Sequence, residues 1–125
     1  MKQVFVSNEA PAAIGPYSQI VRSGNFLFVS GTLPIDPKTG EMPEDIAGQT
    51  RQVFENMRQV LKAAGADLSN LVKTTVFLTD IAEFGAMNEV YAQYVPAPFP
   101  ARAAFQVVAL PKGAKVEIEA IAAIE

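Results

Sequence analysis

The chain contains no cysteine and no histidine. Without cysteine it has no disulfide, no thiolate nucleophile and no cysteine-bound metal. Without histidine it lacks the commonest acid–base residue and the commonest metal ligand. Any catalysis therefore has to use carboxylates, tyrosine, serine, lysine, arginine, backbone groups and water.

Positive charge and long apolar runs are also scarce. The net charge is −3 and the pI is about 4.9, and no cluster of Lys and Arg forms the basic face typical of nucleic-acid binding. No apolar run approaches the roughly 18 residues of a membrane span. Residues 1–6 lack the long apolar stretch of a signal peptide. These absences predict a cytoplasmic protein with neither a nucleic-acid partner nor a membrane partner.

The composition is that of a globular protein. Of the 125 residues, 50% are hydrophobic and 18% are charged, which predicts a single domain over residues 1–125. The apolar share is slightly high for this length, and it favours an oligomer that buries additional apolar surface.

Periodicity predicts an α+β fold. Apolar residues from Ile46 to Ala64 recur at spacings of three and four, which indicates a helix with one buried stripe. A shorter helix is predicted at about 83–94. Strands, rich in β-branched residues or alternating in polarity, are predicted at 2–6, 18–22, 26–29, 71–79, 102–109 and 115–124.

These elements predict a six-stranded, mainly antiparallel sheet with both helices on one face. We expect one hairpin joining 18–22 to 26–29 and another around residues 110–114. The second face of the sheet then needs a partner, which in a layered α+β fold is most simply another subunit.

Arg102 follows a proline-spaced run, residues 95–101, at the start of a strand. The prolines are expected to hold this approach extended, because each fixes its own φ and disfavours the helical region for the residue before it. An arginine in apolar surroundings can bind a carboxylate through two parallel N–H donors. The alternative is a surface arginine that happens to follow a loop.

Two short segments before the first helix are candidate binding elements. Tyr17 follows a Gly-Pro turn, and Gly31 lies between Ser30 and Thr32, where a missing side chain lets a ligand approach the backbone. Each has a simpler explanation, since Tyr17 could pack against the core and Gly31 could serve a turn.

Glu117 is a candidate catalytic carboxylate. Strand alternation places it on the face opposite Val116 and Ile118. In the expected hairpin it lies near Gln106, roughly 13 Å along the strand from Arg102 at about 3.3 Å per residue. A site that uses both residues would therefore combine the arginine of one chain with the glutamate of a neighbour.

Asn88 lies on the second predicted helix. It is either a surface amide or a polar group at the mouth of a pocket.

Several segments match one family pattern in order: Gly15-Pro16-Tyr17-Ser18-Gln19, Val29-Ser30-Gly31-Thr32-Leu33-Pro34, Asn88 through Tyr91, Pro100-Ala101-Arg102-Ala103, Leu110-Pro111 and Val116-Glu117-Ile118-Glu119-Ala120. Through them the chain resembles the RidA (YjgF) family over essentially its whole length. The resemblance implies a homotrimer of chorismate-mutase-like α+β subunits with a site in each cleft between subunits. It also implies hydrolysis of reactive 2-imino acids to 2-keto acids and ammonia, which protects PLP enzymes from 2-aminoacrylate and needs no metal or organic cofactor.

Carried over by position, the resemblance implies that Arg102 binds the substrate carboxylate and that Glu117 positions or activates the attacking water. It implies that Gly31 contributes a backbone contact, and that Tyr17 and Ser30 line the pocket. Asn88 would lie at the pocket edge, and Ala104 would contact the substrate region.

Two positions depart from the pattern. Many relatives carry cysteine where this chain has Ala104, and glutamine where it has Thr32. If position 104 acts through its backbone, alanine can replace cysteine there. If the cysteine thiol determines substrate choice, the alanine changes it.

Two other functions attributed to members of this family remain open. The apolar composition permits a chaperone-like or ligand-binding protein without deaminase activity. A ribonuclease or translation inhibitor fits less well, because the chain is acidic and has no histidine.

Overall fold

Six strands and two helices form the framework of the chain, as the sequence predicts. The structure is a computed structural model that describes residues 1–125. The strands are β1 (Gln3–Phe5), β2 (Ile20–Ser23), β3 (Phe26–Thr32), β4 (Leu71–Leu78), β5 (Ala101–Gln106) and β6 (Val116–Ala123), and the helices are α1 (Ile46–Ala63) and α2 (Phe84–Tyr94).

The strands form one six-stranded sheet in the order β1-β2-β3-β6-β4-β5. Only the β4–β5 pair is parallel, and the other neighbours are antiparallel. The predicted hairpin of β2 and β3 is confirmed, with Ile20 opposite Val29. The α+β fold and the mainly antiparallel sheet are confirmed.

The predicted hairpin of β5 and β6 is wrong, because β4 lies between these strands and pairs with both. Residues 107–115 connect them and contain a short 3₁₀ turn at Pro111–Gly113. This connection is longer than the about two to five residues of hairpin loops. It lets the chain pass over the end of β4.

The helix α1 follows the sequence pattern closely. Asp45 caps its start by accepting a hydrogen bond from the Gly48 backbone N–H at 3.2 Å, which satisfies a donor that has no partner inside the helix. Gly65, with φ of +80°, follows its end. Its buried stripe packs on the sheet and includes Val53, Phe54, Met57, Val60 and Leu61.

The second face of the sheet is uncovered in the single chain. Phe26, Phe28 and Phe105 on this face are each nearly half exposed. Phe105 meets Phe77 edge to face, with ring centroids 5.4 Å apart. Alternation in β6 is as predicted, since Val116, Ile118 and Ala120 lie in the core while Glu117 and Glu119 face this second side.

The sequence predicted an extended approach to β5 over residues 95–101, and the structure shows one that is not uniformly extended. It bends at Ala97–Pro98, where the peptide bond is cis. A proline restricts its own φ but tolerates the cis form of the preceding bond, so proline spacing alone does not define the path. No helix in the chain has the length and apolar character needed to cross a membrane.

Candidate functional site

Arg102 lies on the helix-covered side of the edge strand β5. It is opposite Thr74 of β4 in the parallel register, and Thr74 points into the core. The Arg102 guanidinium lies over the ring of Tyr91, 4.7 Å from its centroid, and 5.3 Å from the centroid of Phe84. Its Nη1 donates a hydrogen bond to Oδ1 of Asn88 at 2.6 Å.

Phe84, Asn88 and Tyr91 all lie on α2 at spacings that place them on one helix face, and we call them the α2 cradle. Every member of the cradle is neutral. The ion pairs of the chain join Arg58 to Glu55 and Lys115 to Glu83, so Arg102 has no carboxylate partner. An arginine carries five N–H donors, and one of them is used here.

Ala104 follows Arg102 on the same side of β5. It lies opposite Val76 and packs against the core, half-buried. The side chain at position 104 is thus a small apolar group at the base of the arginine region.

Glu117 lies on the uncovered face of β6, opposite Phe77 of β4. Its carboxylate sits against the backbone of Gly31 in β3, so close that a Cβ added at Gly31 would overlap a carboxylate oxygen and come within 3.0 Å of Cδ. Any side chain at position 31 would force the Glu117 carboxylate to move from this position. Burial raises the pKa of Glu117 above its usual value, and the nearby negative charge of Glu119 raises it further.

Tyr17, Ser30 and Gly31 line a cavity of about 340 Å³ between the N-terminal loop, the end of β3 and α1. Tyr17 is half exposed at the rim. The Ser30 hydroxyl donates to the Ser18 carbonyl oxygen at 2.5 Å, so Ser30 fixes the loop that carries Tyr17. Glu117 is not among the residues that line this cavity and adjoins them through Gly31. We call Tyr17, Ser30, Gly31 and Glu117 the glutamate half-site, and Arg102 with the α2 cradle the arginine half-site.

The structure separates the two half-sites within one chain. The strands that carry Glu117 and Arg102 have β4 between them, which places the strands roughly 10 Å apart at about 4.8 Å per strand. The two side chains also lie on opposite faces of the sheet. The sequence predicted this separation from a hairpin that does not exist, and the correct cause is the intervening strand.

Sequence reasoning left Asn88 open between a surface amide and a polar group at the mouth of a pocket, and it gave Phe84 and Tyr91 no role beside Arg102. Their spacing from Asn88 along α2 was the available signal, since residues four and three apart share a helix face. No group of three or more acidic side chains comes together in the chain to form a candidate metal site. No buried side-chain N or O atom lacks a hydrogen-bond partner.

Comparison with known proteins identifies the family of the chain. The family model described as Endoribonuclease L-PSP matches residues 7–124. Reactive Intermediate Deaminase A, chloroplastic, of Arabidopsis thaliana is 52% identical over 124 residues, which span 98% of this chain and 66% of that protein, just under two thirds of its length. The human 2-iminobutanoate/2-iminopropanoate deaminase is 48% identical over 98% of this chain and 90% of its own length.

A solved structure agrees with this assignment. The crystal structure of RidA from an Antarctic Psychrobacter bacterium has a TM-score of 0.94 and 48% identity, and the match covers 98% of this chain and 99% of that one. With the match to the family model over nearly the whole chain, the protein belongs to the RidA (YjgF) family.

Proposed function

We propose that this protein hydrolyses reactive 2-imino acids, such as 2-iminobutanoate and 2-iminopropanoate, to 2-keto acids and ammonia, and thereby protects PLP enzymes from 2-aminoacrylate. The main support is the Arg102 guanidinium, which neutral side chains hold and no carboxylate of the chain neutralises. A cation held in this way can accept the carboxylate of a 2-imino acid through two parallel hydrogen bonds. Relatives about half identical to the chain are named as deaminases of this kind.

The active unit in this proposal is a homotrimer with one site in each cleft between two chains. The uncovered, aromatic face of the sheet supports the association, because burial of apolar surface drives it. In each cleft the arginine half-site of one chain would face the glutamate half-site of its neighbour. This arrangement overcomes the separation of Arg102 and Glu117 within a chain.

The reaction needs little beyond orientation and one proton acceptor. Arg102 binds the carboxylate, and Glu117 accepts a proton from a water molecule as the water oxygen bonds to the imine carbon. That proton passes to the imine nitrogen, which gives a tetrahedral intermediate with a hydroxyl and an amino group on one carbon. The hydroxyl proton then moves to the nitrogen as the carbon–nitrogen bond breaks and the carbonyl forms, so ammonia leaves and the 2-keto acid is the other product. Positioned acid–base help of this kind typically contributes about 10²–10⁴-fold, and the raised pKa of Glu117 improves its strength as a base.

The test supplies threonine and a threonine dehydratase, which together generate the imine, and follows 2-ketobutyrate release with and without this protein. We expect clear acceleration by the wild type and none by Arg102→Ala. Arg58→Ala is the matched control, because Arg58 also lies over a tyrosine ring, that of Tyr94, but is paired with the carboxylate of Glu55. It should retain wild-type acceleration.

Two outcomes would contradict the proposal. No acceleration by the wild type, together with suppression of client aggregation that survives loss of Arg102 and Glu117, would favour a chaperone-like function. Equal acceleration by the wild type and Arg102→Ala would show that the carboxylate binds elsewhere.

A further inference from the structure

The aromatic part of the α2 cradle is anchored more firmly than a surface helix face requires. The Tyr91 hydroxyl lies 2.7 Å from the hydroxyl of Thr74, and both residues are buried, with Thr74 at 0% and Tyr91 at 6% exposure. Thr74 is the residue directly opposite Arg102 in the sheet. The strand beside Arg102 and the ring under its guanidinium are therefore joined by a buried hydrogen bond.

A second contact holds the same ring from behind. Phe54 of α1 meets Tyr91 edge to face, with centroids 5.5 Å apart and planes at 80°, a favourable geometry for an aromatic pair. The Arg102 guanidinium lies over the same ring, 4.7 Å from its centroid. Phe84 adds a second ring from the first turn of α2, and it is only half-buried.

We infer that Phe84 and Tyr91 are positioning residues for Arg102, which set the orientation of the guanidinium before the substrate carboxylate arrives. This inference rests on the proposed role of Arg102 in carboxylate binding. A free arginine side chain loses rotamer freedom when it binds an anion, and pre-organisation removes part of that cost. Because both supports are neutral rings, they orient the cation without occupying it, so its charge stays available to the ligand.

Variants of Tyr91 and Phe84 can distinguish an effect on the position of Arg102 from an effect on the stability of the fold. Tyr91→Phe keeps the ring under Arg102 and its contact with Phe54, but it leaves the buried Thr74 hydroxyl without its partner, which destabilises the fold. Phe84→Leu removes a ring from the guanidinium at a half-buried position and keeps an apolar side chain against the core. A positioning role predicts opposite rankings of these variants in ligand affinity and in thermal stability.

The experiment measures three quantities for each variant: the KM and kcat of imine hydrolysis, the Kd for 2-ketobutyrate as a stable carboxylate, and the Tm. For Phe84→Leu we expect KM and Kd to rise about twofold to fivefold, the range of an exposed cation–ring contact, with Tm nearly unchanged. For Tyr91→Phe we expect a lower Tm with KM and Kd nearly unchanged. For Tyr91→Leu we expect the largest rise, up to about thirtyfold, and kcat should change little in every variant.

Tyr94→Leu is the matched control. Tyr94 lies on the same helix, stacks on Phe54 and has an arginine over its ring, but that arginine is Arg58. Its loss should leave KM and Kd at wild-type values. If Tyr91→Leu does not fold, Phe84→Leu and Tyr91→Phe still decide the outcome.

The inference is overturned if Tyr91→Phe weakens ligand binding more than Phe84→Leu does, or if Tyr94→Leu weakens binding as much as Phe84→Leu. These results are distinct from failure of the proposed function. If the wild type bound 2-ketobutyrate through Arg102 but hydrolysed no imine, the proposed function would be wrong. The Kd values of the variants would still test whether Phe84 and Tyr91 position Arg102.

Discussion

The two half-sites hold their functional charges by opposite means. The arginine half-site is complete within one chain, where two rings and one amide support the guanidinium without neutralising it. The glutamate half-site holds its carboxylate against a glycine backbone, near a second carboxylate and partly out of water. The arginine half-site stabilises the positive charge of Arg102, whereas the glutamate half-site raises the free energy of the ionised Glu117 carboxylate.

This difference explains why the sheet separates the two groups. If Arg102 and Glu117 were neighbours in one chain, they would form an ion pair, and neither would be free for a ligand. Placed on opposite faces with β4 between their strands, each keeps its charge unpaired. In the proposed trimer, a composite site between chains would use the cation for a carboxylate and the anion for a water molecule.

The largest expected effect comes from joining half-sites of different chains. Arg102→Ala and Glu117→Ala should each be inactive alone. When the two variants are co-expressed, random assembly leaves about one site in four intact, since a working site takes its arginine from one variant and its glutamate from the other. We therefore expect about a quarter of wild-type activity in the imine assay.

The control mixes the same two variants after each has assembled, under conditions in which subunits do not exchange. That mixture should stay inactive. Activity absent from the co-expressed sample as well would show that the half-sites do not combine across chains.

The second prediction disturbs only the glutamate half-site. Gly31→Ala places a methyl group where the Glu117 carboxylate lies, and the flexible carboxylate must move aside. Since displacement of a catalytic group by about 1 Å can cost about 100-fold, we expect kcat to fall by about 100-fold while Tm changes little. Gly85→Ala, in a helix position with open space around it, should leave kcat unchanged. A Gly31→Ala variant with normal kcat would remove Glu117 from the chemistry.

Local patterns made much of the fold predictable. The stripe of α1 and the alternation of β6 follow from spacings within one element, and both are confirmed. The β5–β6 pairing was wrong because strand order depends on distant contacts. In particular, β4, which is far from either strand in sequence, pairs with both of them.

The sequence singled out candidate residues of the site, but it did not predict how these residues contact one another. Arg102 and Asn88 were both singled out, yet their hydrogen bond depends on how α2 packs beside β5, which spacing along the chain does not reveal. Tyr91 is buried, yet its ring also lies under the Arg102 guanidinium. Periodicity identifies the buried side of a helix and cannot show that one residue serves both environments.

The third prediction introduces a charge into the neutral cradle. Asn88→Asp keeps the size of the side chain but places a carboxylate within 2.6 Å of the Arg102 guanidinium. The resulting ion pair should compete with the ligand, and we expect the Kd for 2-ketobutyrate to rise about tenfold or more, as a charge-assisted bond is lost to the substrate. Asn88→Ala should weaken binding less, because it removes a support without adding a competitor. Tighter binding by Asn88→Asp would contradict the importance of a neutral cradle.

The smallest expected effect concerns stability and pH at Glu117. Its pKa is raised in the folded protein by burial and by Glu119, so between its usual pKa and the raised value the folded state binds more protons than the unfolded state. Stability therefore falls as pH rises through that window, and the favourable contribution of Glu117 is present only below it. The Tm of the wild type should decline relative to Glu117→Gln as pH increases, whereas Glu41→Gln at an exposed position should run parallel to the wild type.

If the Tm of all three proteins changed with pH in parallel, ionisation of Glu117 would not destabilise the fold. The expected divergence would have a functional meaning. The ionised carboxylate is the form that accepts a proton from water, so imine hydrolysis should increase over the same pH window in which Glu117 ceases to stabilise the fold. The arginine half-site shows no such opposition, because its supports stabilise the same charged form that the ligand needs.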